Sequence, residues 1–147
     1  MKRQLFFGNI LTLVLGGLIY VLFRTSSLKM FNWFEIIGLK SLTTELRKLS
    51  FQFACKIPEW ILFSLPDGLW IFSYVSSMLF IWKNSVTTKN IFWISIIPIL
   101  AIISETGQYF GLLSGTFDSI DLLFYLFGMT LPFIVFTNSI NPNLKFK

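Results

Sequence analysis

Histidine is absent from this sequence. Its absence excludes Ser/His and Cys/His nucleophile pairs, His-ligated zinc and the His-dependent lipid phosphatases. The single cysteine, Cys55, has no partner for an internal disulfide, so cysteine usage does not indicate a redox compartment. We interpret Cys55 as a packed apolar side chain. Any acid-base chemistry or metal binding in this chain therefore depends on carboxylates.

Charged residues are also scarce. They make up 13% of the 147 residues, whereas 54% are hydrophobic and 18% aromatic, and the mean hydropathy is +0.72. These values exclude an ordinary soluble protein and indicate a polytopic membrane protein with a single domain over residues 1–147. The net charge of +5 comes from basic residues scattered between apolar runs. We therefore expect no nucleic-acid partner and interpret these bases as topology signals and interfacial anchors.

Four apolar runs have lengths near that needed to cross a bilayer. The first has no charge over residues 5–23, which is about 28 Å of helix at about 1.5 Å per residue. A cleaved signal peptide is the alternative for this run, but no A-x-A site follows it. The sequence therefore predicts an all-α fold with four transmembrane helices, over residues 5–23, 65–82, 91–110 and 117–136.

The long segment between the first two runs is amphipathic. Within residues 30–56, apolar residues recur at helical spacing beside charged ones. This pattern is typical of a helix that lies in the membrane interface, and a groove for a partner is the alternative. We predict one interfacial amphipathic helix between the first and second spans.

Basic residues predict the orientation of the chain. The N-terminus, the turn at residues 83–90 and the C-terminal tail carry bases and no acids, whereas all seven carboxylates belong to the other side. Because basic residues in short flanking segments mark the cytoplasmic side, we expect both termini in the cytoplasm and a multi-pass protein of the cell membrane. The polar stretch at residues 104–128 then faces outward.

That stretch contains most of the polarity found within the apolar runs. Charged residues inside spans are costly, and they usually have a function or a partner. Spacings of three and four residues place polar side chains on one face of each of the last two helices. The two predicted faces are Glu105 with Gln108 and Tyr109, and Asp118 with Asp121 and Tyr125.

Three carboxylates are predicted to lie at one depth. Asp67, Glu105 and Asp121 each lie about 21 to 23 Å from the cytoplasmic end of their helix, within a hydrocarbon core about 30 Å thick. Acids gathered in a low dielectric repel one another, which calls for protonation, a bound cation or a base from elsewhere. Arg24, just past the first span, is the nearest base. The structural alternative is that Asp67 only caps its helix and that hydrogen bonds satisfy the other acids.

The same residues carry a family resemblance. The run SETGQYF at residues 104–110, followed by GTFDSIDLLFYLFG at residues 115–128, resembles the VanZ-like family of small bacterial membrane proteins, which is named for a member linked to low-level teicoplanin resistance. The run LPDGLW at residues 65–70 looks like the start of an earlier helix of that family. The resemblance covers residues 58–136 and implies a role in the cell envelope.

Individual positions match the motifs of that family. Glu105 and Gln108 match its E-x-x-Q, Asp118 and Asp121 match its paired aspartates, and Gly128 matches a following glycine. Two positions depart from it. Thr116 stands where the family often has arginine, and Tyr125 where it often has asparagine. Either the function differs here, or Arg24 replaces the missing arginine.

We therefore expect an envelope protein whose outward carboxylate pocket binds a membrane lipid or a lipid-linked envelope precursor. A divalent cation is one way to compensate the acids, since such ions take oxygen ligands. The sequence favours a non-enzymatic role over an enzyme. The alternatives are a metal-dependent enzyme acting on a lipid phosphate and a small cation-coupled carrier, which would need an oligomer. The predicted ligand-binding residues are Arg24, Asp67, Glu105, Gln108, Tyr109, Asp118, Asp121 and Tyr125.

Overall fold

Seven helices follow one another in the computed structural model, which describes residues 2–25 and 28–136, and no strand occurs in that part of the chain. They are α1 (Gln4–Phe23), α2 (Lys29–Ile36), α3 (Lys40–Ala54), α4 (Glu59–Phe63), α5 (Leu65–Ile81), α6 (Ile91–Tyr109) and α7 (Ser119–Val135). The all-α prediction is confirmed. The predicted polar tail at residues 137–147 lies outside the described residues.

Two of these helices are long and apolar enough to cross a membrane. They are α1, with 20 residues, and α6, with 19. Helices α5 and α7 are also apolar but have 17 residues each. Membrane association therefore has support from α1 and α6, whereas the four-span arrangement stays a prediction.

Helix α1 begins as a π-helix over Gln4–Leu11 and continues as an α-helix over Thr12–Phe23. It packs along α5. The hydroxyl of Ser73 donates a 2.9 Å hydrogen bond to the carbonyl oxygen of Asn9. At Gly16 a Cβ atom would lie 2.8 Å from Nε1 of Trp70, so only glycine permits this approach of the two helices.

The segment between the first two predicted spans differs from the prediction. A single amphipathic helix over residues 30–56 is wrong, because the chain breaks into α2 and α3, and the short helix α4 follows. Gly38 lies between α2 and α3 with φ of +78°, in the left-handed region that glycine adopts without steric cost. The amphipathic pattern itself is present in α3. Arg47 contacts the end of α1 and Thr43 is buried, whereas the apolar residues Leu42, Leu46, Leu49 and Phe53 are exposed.

Helix α5 is the centre of the bundle and contacts α1, α4, α6 and α7. Its buried residues Ile71, Val75 and Leu79 form the core together with Ile94 of α6. Helices α5 and α7 approach most closely at two glycines. A Cβ atom at Gly128 would lie 2.5 Å from the carbonyl oxygen of Gly68. Small residues of this kind let apolar helices pack backbone to backbone.

A buried amide pair ties the start of α1 to the turn between α5 and α6. Gln4 and Asn84 exchange two hydrogen bonds, of 2.8 and 3.0 Å, and both side chains are buried. The sequence predicts a polar turn at residues 83–90, and the structure has a turn there. That turn is partly internal, because Asn84, Val86 and Asn90 are all buried.

Candidate functional site

The three predicted acids continue the internal faces of their helices. Asp67 precedes the core residues Ile71 and Val75 at spacings of four and eight, and Glu105 follows Ala101 on α6 by four. Asp121 precedes the half-buried Tyr125, which packs on the same core. Each acid therefore stands at the end of its helix where the apolar core stops, and all three ends belong to the predicted outward side.

These acids are close enough to interact. Asp67 lies within range of the charges of Arg24, Asp121 and Glu105. Tyr125 experiences the charges of the same four groups. Residues of α5, α6, α7 and the end of α1 therefore lie within electrostatic range of one another.

Arg24 pairs with Asp67. Its Nη2 lies 3.9 Å from Oδ2 of Asp67, which is an ion pair too long for a hydrogen bond. The two side chains are 32% and 19% exposed. The guanidinium also lies 5.3 Å from the ring centres of Tyr20 and Phe63, within the range of cation–π attraction. Asp67 is thus more than a helix cap, and no side chain within the described residues caps the start of α5.

Glu105 is the most buried acid of the site, at 4% exposure. Its Oε1 accepts a 2.6 Å hydrogen bond from the backbone N–H of Asp118, at the start of α7. Asp118 is the N-cap residue and accepts a 2.8 Å hydrogen bond from the N–H of Ile120. Both carboxylates thereby satisfy backbone donors that a helix start leaves unpaired, at the positive end of the helix dipole.

Asp121 lies in the first turn of α7. Its Oδ1 atom is buried and has no hydrogen-bond partner among the described residues. The same holds for Nε of Arg24. Because buried polar atoms in folded proteins nearly always have a partner, these two atoms are the points at which the site is incomplete.

Each of the two predicted polar faces has one exposed member. Tyr109 is 64% exposed and packs edge-on against Phe110 and Phe117, whereas Glu105 is buried. Asp118 is exposed and precedes α7, so it does not share a helical face with Asp121. The reason is the same at both places, since each residue lies where its helix ends or begins.

Gln108 lies at the rim of the site. Its amide packs against Gly115, where a Cβ atom would lie 2.7 Å from Cδ of Gln108. Gly115 has φ of +143°, which favours glycine. Both polar residues of the E-x-x-Q motif thus make structural contacts. Glu105 contacts the start of α7, and Gln108 contacts the loop before it.

Sequence reasoning missed the residues that hold Arg24. Arg47 donates hydrogen bonds of 2.6 Å to the carbonyl oxygens of Val21 and Arg24, and so covers the end of α1. Tyr20 and Phe63 flank the Arg24 guanidinium. No local signal marks Arg47, because its partners lie more than 20 residues away in sequence.

No three His, Cys, Asp or Glu side chains are grouped so as to hold one metal ion within residues 2–25 and 28–136. A divalent cation bound at the carboxylate site stays a prediction.

Comparison with protein-family models, with curated proteins and with solved structures found no match for the chain. The VanZ-like resemblance thus depends on the motif residues themselves.

Proposed function

We propose that this chain is a VanZ-like protein of the bacterial cell envelope, linked to glycopeptide resistance of the teicoplanin type. In this proposal α1, α5, α6 and α7 cross the cell membrane and both termini are cytoplasmic. The carboxylate site then opens toward the exterior and binds a membrane lipid or a lipid-linked envelope precursor. It acts by binding and not by catalysis.

The exposed surface of the helices supports the membrane placement. Large apolar side chains such as Leu13 on α1, Leu100 on α6 and Ile134 on α7 are exposed. An apolar surface of this extent is unfavourable in water and suits contact with lipid. Helices of 17 residues span about 25 Å, which is slightly less than the hydrocarbon thickness of about 30 Å, and a bilayer accommodates such a mismatch at modest cost.

The unpaired Oδ1 of Asp121 is the observation that carries the proposed binding role. Asp67 has Arg24 as a partner, and Glu105 has the backbone of α7, whereas Asp121 meets no donor among the described residues. A ligand with a hydroxyl or amine donor would complete it. A buried acceptor that lacks a donor costs about 1 to 3 kcal/mol, so the gain when a ligand supplies that donor is of the same order.

Arg24 supplies the complementary feature. Its guanidinium is partly exposed, and its Nε has no partner in the described chain. Guanidinium groups bind phosphate oxygens well. The ligand that fits both residues therefore has an anionic phosphate and a nearby hydroxyl or amine, as polar lipid headgroups do.

The test uses Asp121→Asn, which keeps the size of the side chain and removes its charge. In cells that express the chain, we expect this variant to lose the teicoplanin phenotype while the purified protein stays helical. Loss of one charge-assisted hydrogen bond weakens binding by about tenfold or more. Glu59→Gln is the matched control, because Glu59 is an exposed acid at the start of α4 outside the site.

Full phenotype in Asp121→Asn would reject the proposed site. An equal loss in Glu59→Gln would show that overall charge, and not this site, matters. Turnover of a lipid phosphate by the purified wild-type chain with Mg²⁺ would instead support the metal-dependent enzyme.

A further inference from the structure

A second polar groove lies apart from the carboxylate site. It runs between α2 and α3 beside the end of α1 and has a volume of about 900 Å³. On α3 its lining residues recur at spacings of three and four, so they form one face of that helix. The residues that carry charge in the lining are Glu35, Lys40, Arg47 and Lys48.

Arg47 stands at the centre of this groove. Its guanidinium lies 4.6 Å from the ring centre of Phe31 on α2 and 5.3 Å from that of Phe51 on α3. It donates hydrogen bonds to the carbonyl oxygens of Val21 and Arg24, which are neutral acceptors. Burial lowers the pKa of Arg47, but an arginine side chain stays charged at neutral pH.

The charge of the groove is not balanced by its own acids. Lys40 pairs with Glu35 at 2.5 Å, and both side chains are more than half exposed. Lys48 pairs with Glu45, at 3.2 Å and with similar exposure. Exposed pairs of this kind are weak and exchange readily with other ions. Arg47 forms no ion pair within residues 2–25 and 28–136, so the lining has three bases against one acid.

The opposite side of α3 is apolar. Leu42, Leu46, Leu49 and Phe53 are exposed and recur at helical spacing, on a face nearly opposite the charged lining. In the membrane placement proposed above, this face lies on the acyl chains at the outer interface, as amphipathic surface helices do. The groove is then held at the level of the lipid phosphates.

We propose that this groove binds the phosphate of an anionic phospholipid headgroup, with Arg47 as the central contact and Lys40 and Lys48 as its flanks. Basic residues at a membrane surface attract anionic lipids, and a guanidinium that lies between two rings keeps a fixed orientation toward phosphate. The site depends on the proposed membrane placement but not on the ligand of the carboxylate site. The groove favours an anionic group, whereas Asp121 favours a hydrogen-bond donor.

The experiment uses the full chain purified in a neutral detergent, with short-chain phosphatidylglycerol as the probe and calorimetry as the measurement. Short-chain phosphatidylcholine and inorganic phosphate are the comparison ligands. The test variant is Lys40→Gln/Lys48→Gln, which leaves Arg47 and the end of α1 intact. The matched control is Lys29→Gln/Lys56→Gln, which removes the same charge from the same segment but outside the groove.

We expect the groove variant to bind phosphatidylglycerol about tenfold more weakly, because each basic residue near a lipid surface contributes a factor of about five and both lysines already have an acidic neighbour. The control variant should change the affinity by less than about twofold. Added salt should weaken binding to the wild-type chain, since these charges are exposed.

Three outcomes would overturn this inference. Equal losses in the two double variants would indicate general charge attraction. Equal affinity for phosphatidylcholine would show that the groove does not recognise anionic lipid, and inorganic phosphate binding as tightly as the lipid would make it a free-phosphate site. Phosphatidylglycerol also has the phosphate and hydroxyl groups that suit the carboxylate site, so the two double variants are compared again in the Asp121→Asn background. A loss on Lys40→Gln/Lys48→Gln that persists there belongs to this groove, whereas a loss that disappears there belongs to the carboxylate site.

Discussion

The three acids of the candidate site differ in what compensates them. Asp67 has a base from another helix, Glu105 has a backbone N–H at a helix start, and Asp121 has neither. Charged groups in a low dielectric are costly unless they are paired. The residue that lacks a partner is therefore the one whose environment changes most when a ligand binds.

At this scale the ion pair between Arg24 and Asp67 makes a testable contribution. Arg24→Gln leaves Asp67 beside two other acids, and we expect the free energy of unfolding to fall by about 1 to 2 kcal/mol. The value is below that of a fully buried pair because both side chains are partly exposed. Denaturant titration in micelles measures it.

Arg3→Gln is the control for that substitution, because Arg3 is an exposed arginine at the other end of α1. Arg24→Lys, which keeps the charge, should lose less stability than Arg24→Gln. Equal stability of the Arg24→Gln and Arg3→Gln variants would mean that the pair contributes nothing.

At the scale of single helices, the start of α7 depends on a side chain from α6. Glu105 accepts a hydrogen bond from the N–H of Asp118, so α6 caps its neighbour. We expect Glu105→Ala to lower the free energy of unfolding by about 1 to 3 kcal/mol, because it leaves a donor unpaired. Glu105→Gln, which keeps an acceptor oxygen, should lose less.

Hydrogen exchange distinguishes this cap from a general loss of stability. The amide of Asp118 should exchange faster in Glu105→Ala than in the wild-type chain, while amides in the middle of α6 change little. Uniformly faster exchange along α6 and α7 would contradict a local cap.

The contact between α5 and α7 leads to a prediction about glycine. In Gly128→Ala the new methyl group meets the backbone of Gly68 at 2.5 Å, so the helices must separate, and we expect a loss of about 1 to 3 kcal/mol. Gly17→Ala is the matched control, since no atom lies within 4 Å of a Cβ there. It should be neutral or stabilising by up to about 1 kcal/mol, because alanine favours a helix. Equal effects in thermal unfolding of the two variants would contradict the close contact.

At the scale of the whole molecule, the proposed topology places the α2–α3 segment outside the cell and the α5–α6 turn inside it. Cys55 is exposed, so its interpretation as a packed apolar side chain is wrong. Because it is the one cysteine of the sequence, its labelling reports on the location of the α2–α3 segment without any substitution. We expect a membrane-impermeant maleimide to label Cys55 in intact cells. In Cys55→Ser/Thr88→Cys, labelling should require permeabilised cells, since Thr88 lies exposed in the turn.

The reverse labelling pattern would show the opposite orientation. Labelling of both positions in intact cells would show that α5 does not cross the membrane. Either result would remove the outward-facing site, whereas the helices themselves would remain as described.

Helix positions were largely predictable because each apolar run is bounded by polar residues. The run at residues 91–110 corresponds to α6 (Ile91–Tyr109), and the run at residues 5–23 corresponds to α1 (Gln4–Phe23). The start of the last helix was predicted two residues early, because Asp118 takes an extended conformation to cap it. The amphipathic segment was predicted as one helix, because its hydrophobic periodicity does not reveal the turn that Gly38 makes between α2 and α3.

The sequence alone determined the all-α class, the apolar runs and the presence of several acids near the same ends of them. These properties depend on local composition and on a fixed rise per residue. Tertiary structure decided which acid has which partner, since Arg24, Asp67 and the amide of Asp118 come together from distant parts of the chain. It also decided that Gln4 meets Asn84 across 80 residues. Such contacts depend on how helices pack, and periodicity along one helix contains no information about its neighbour.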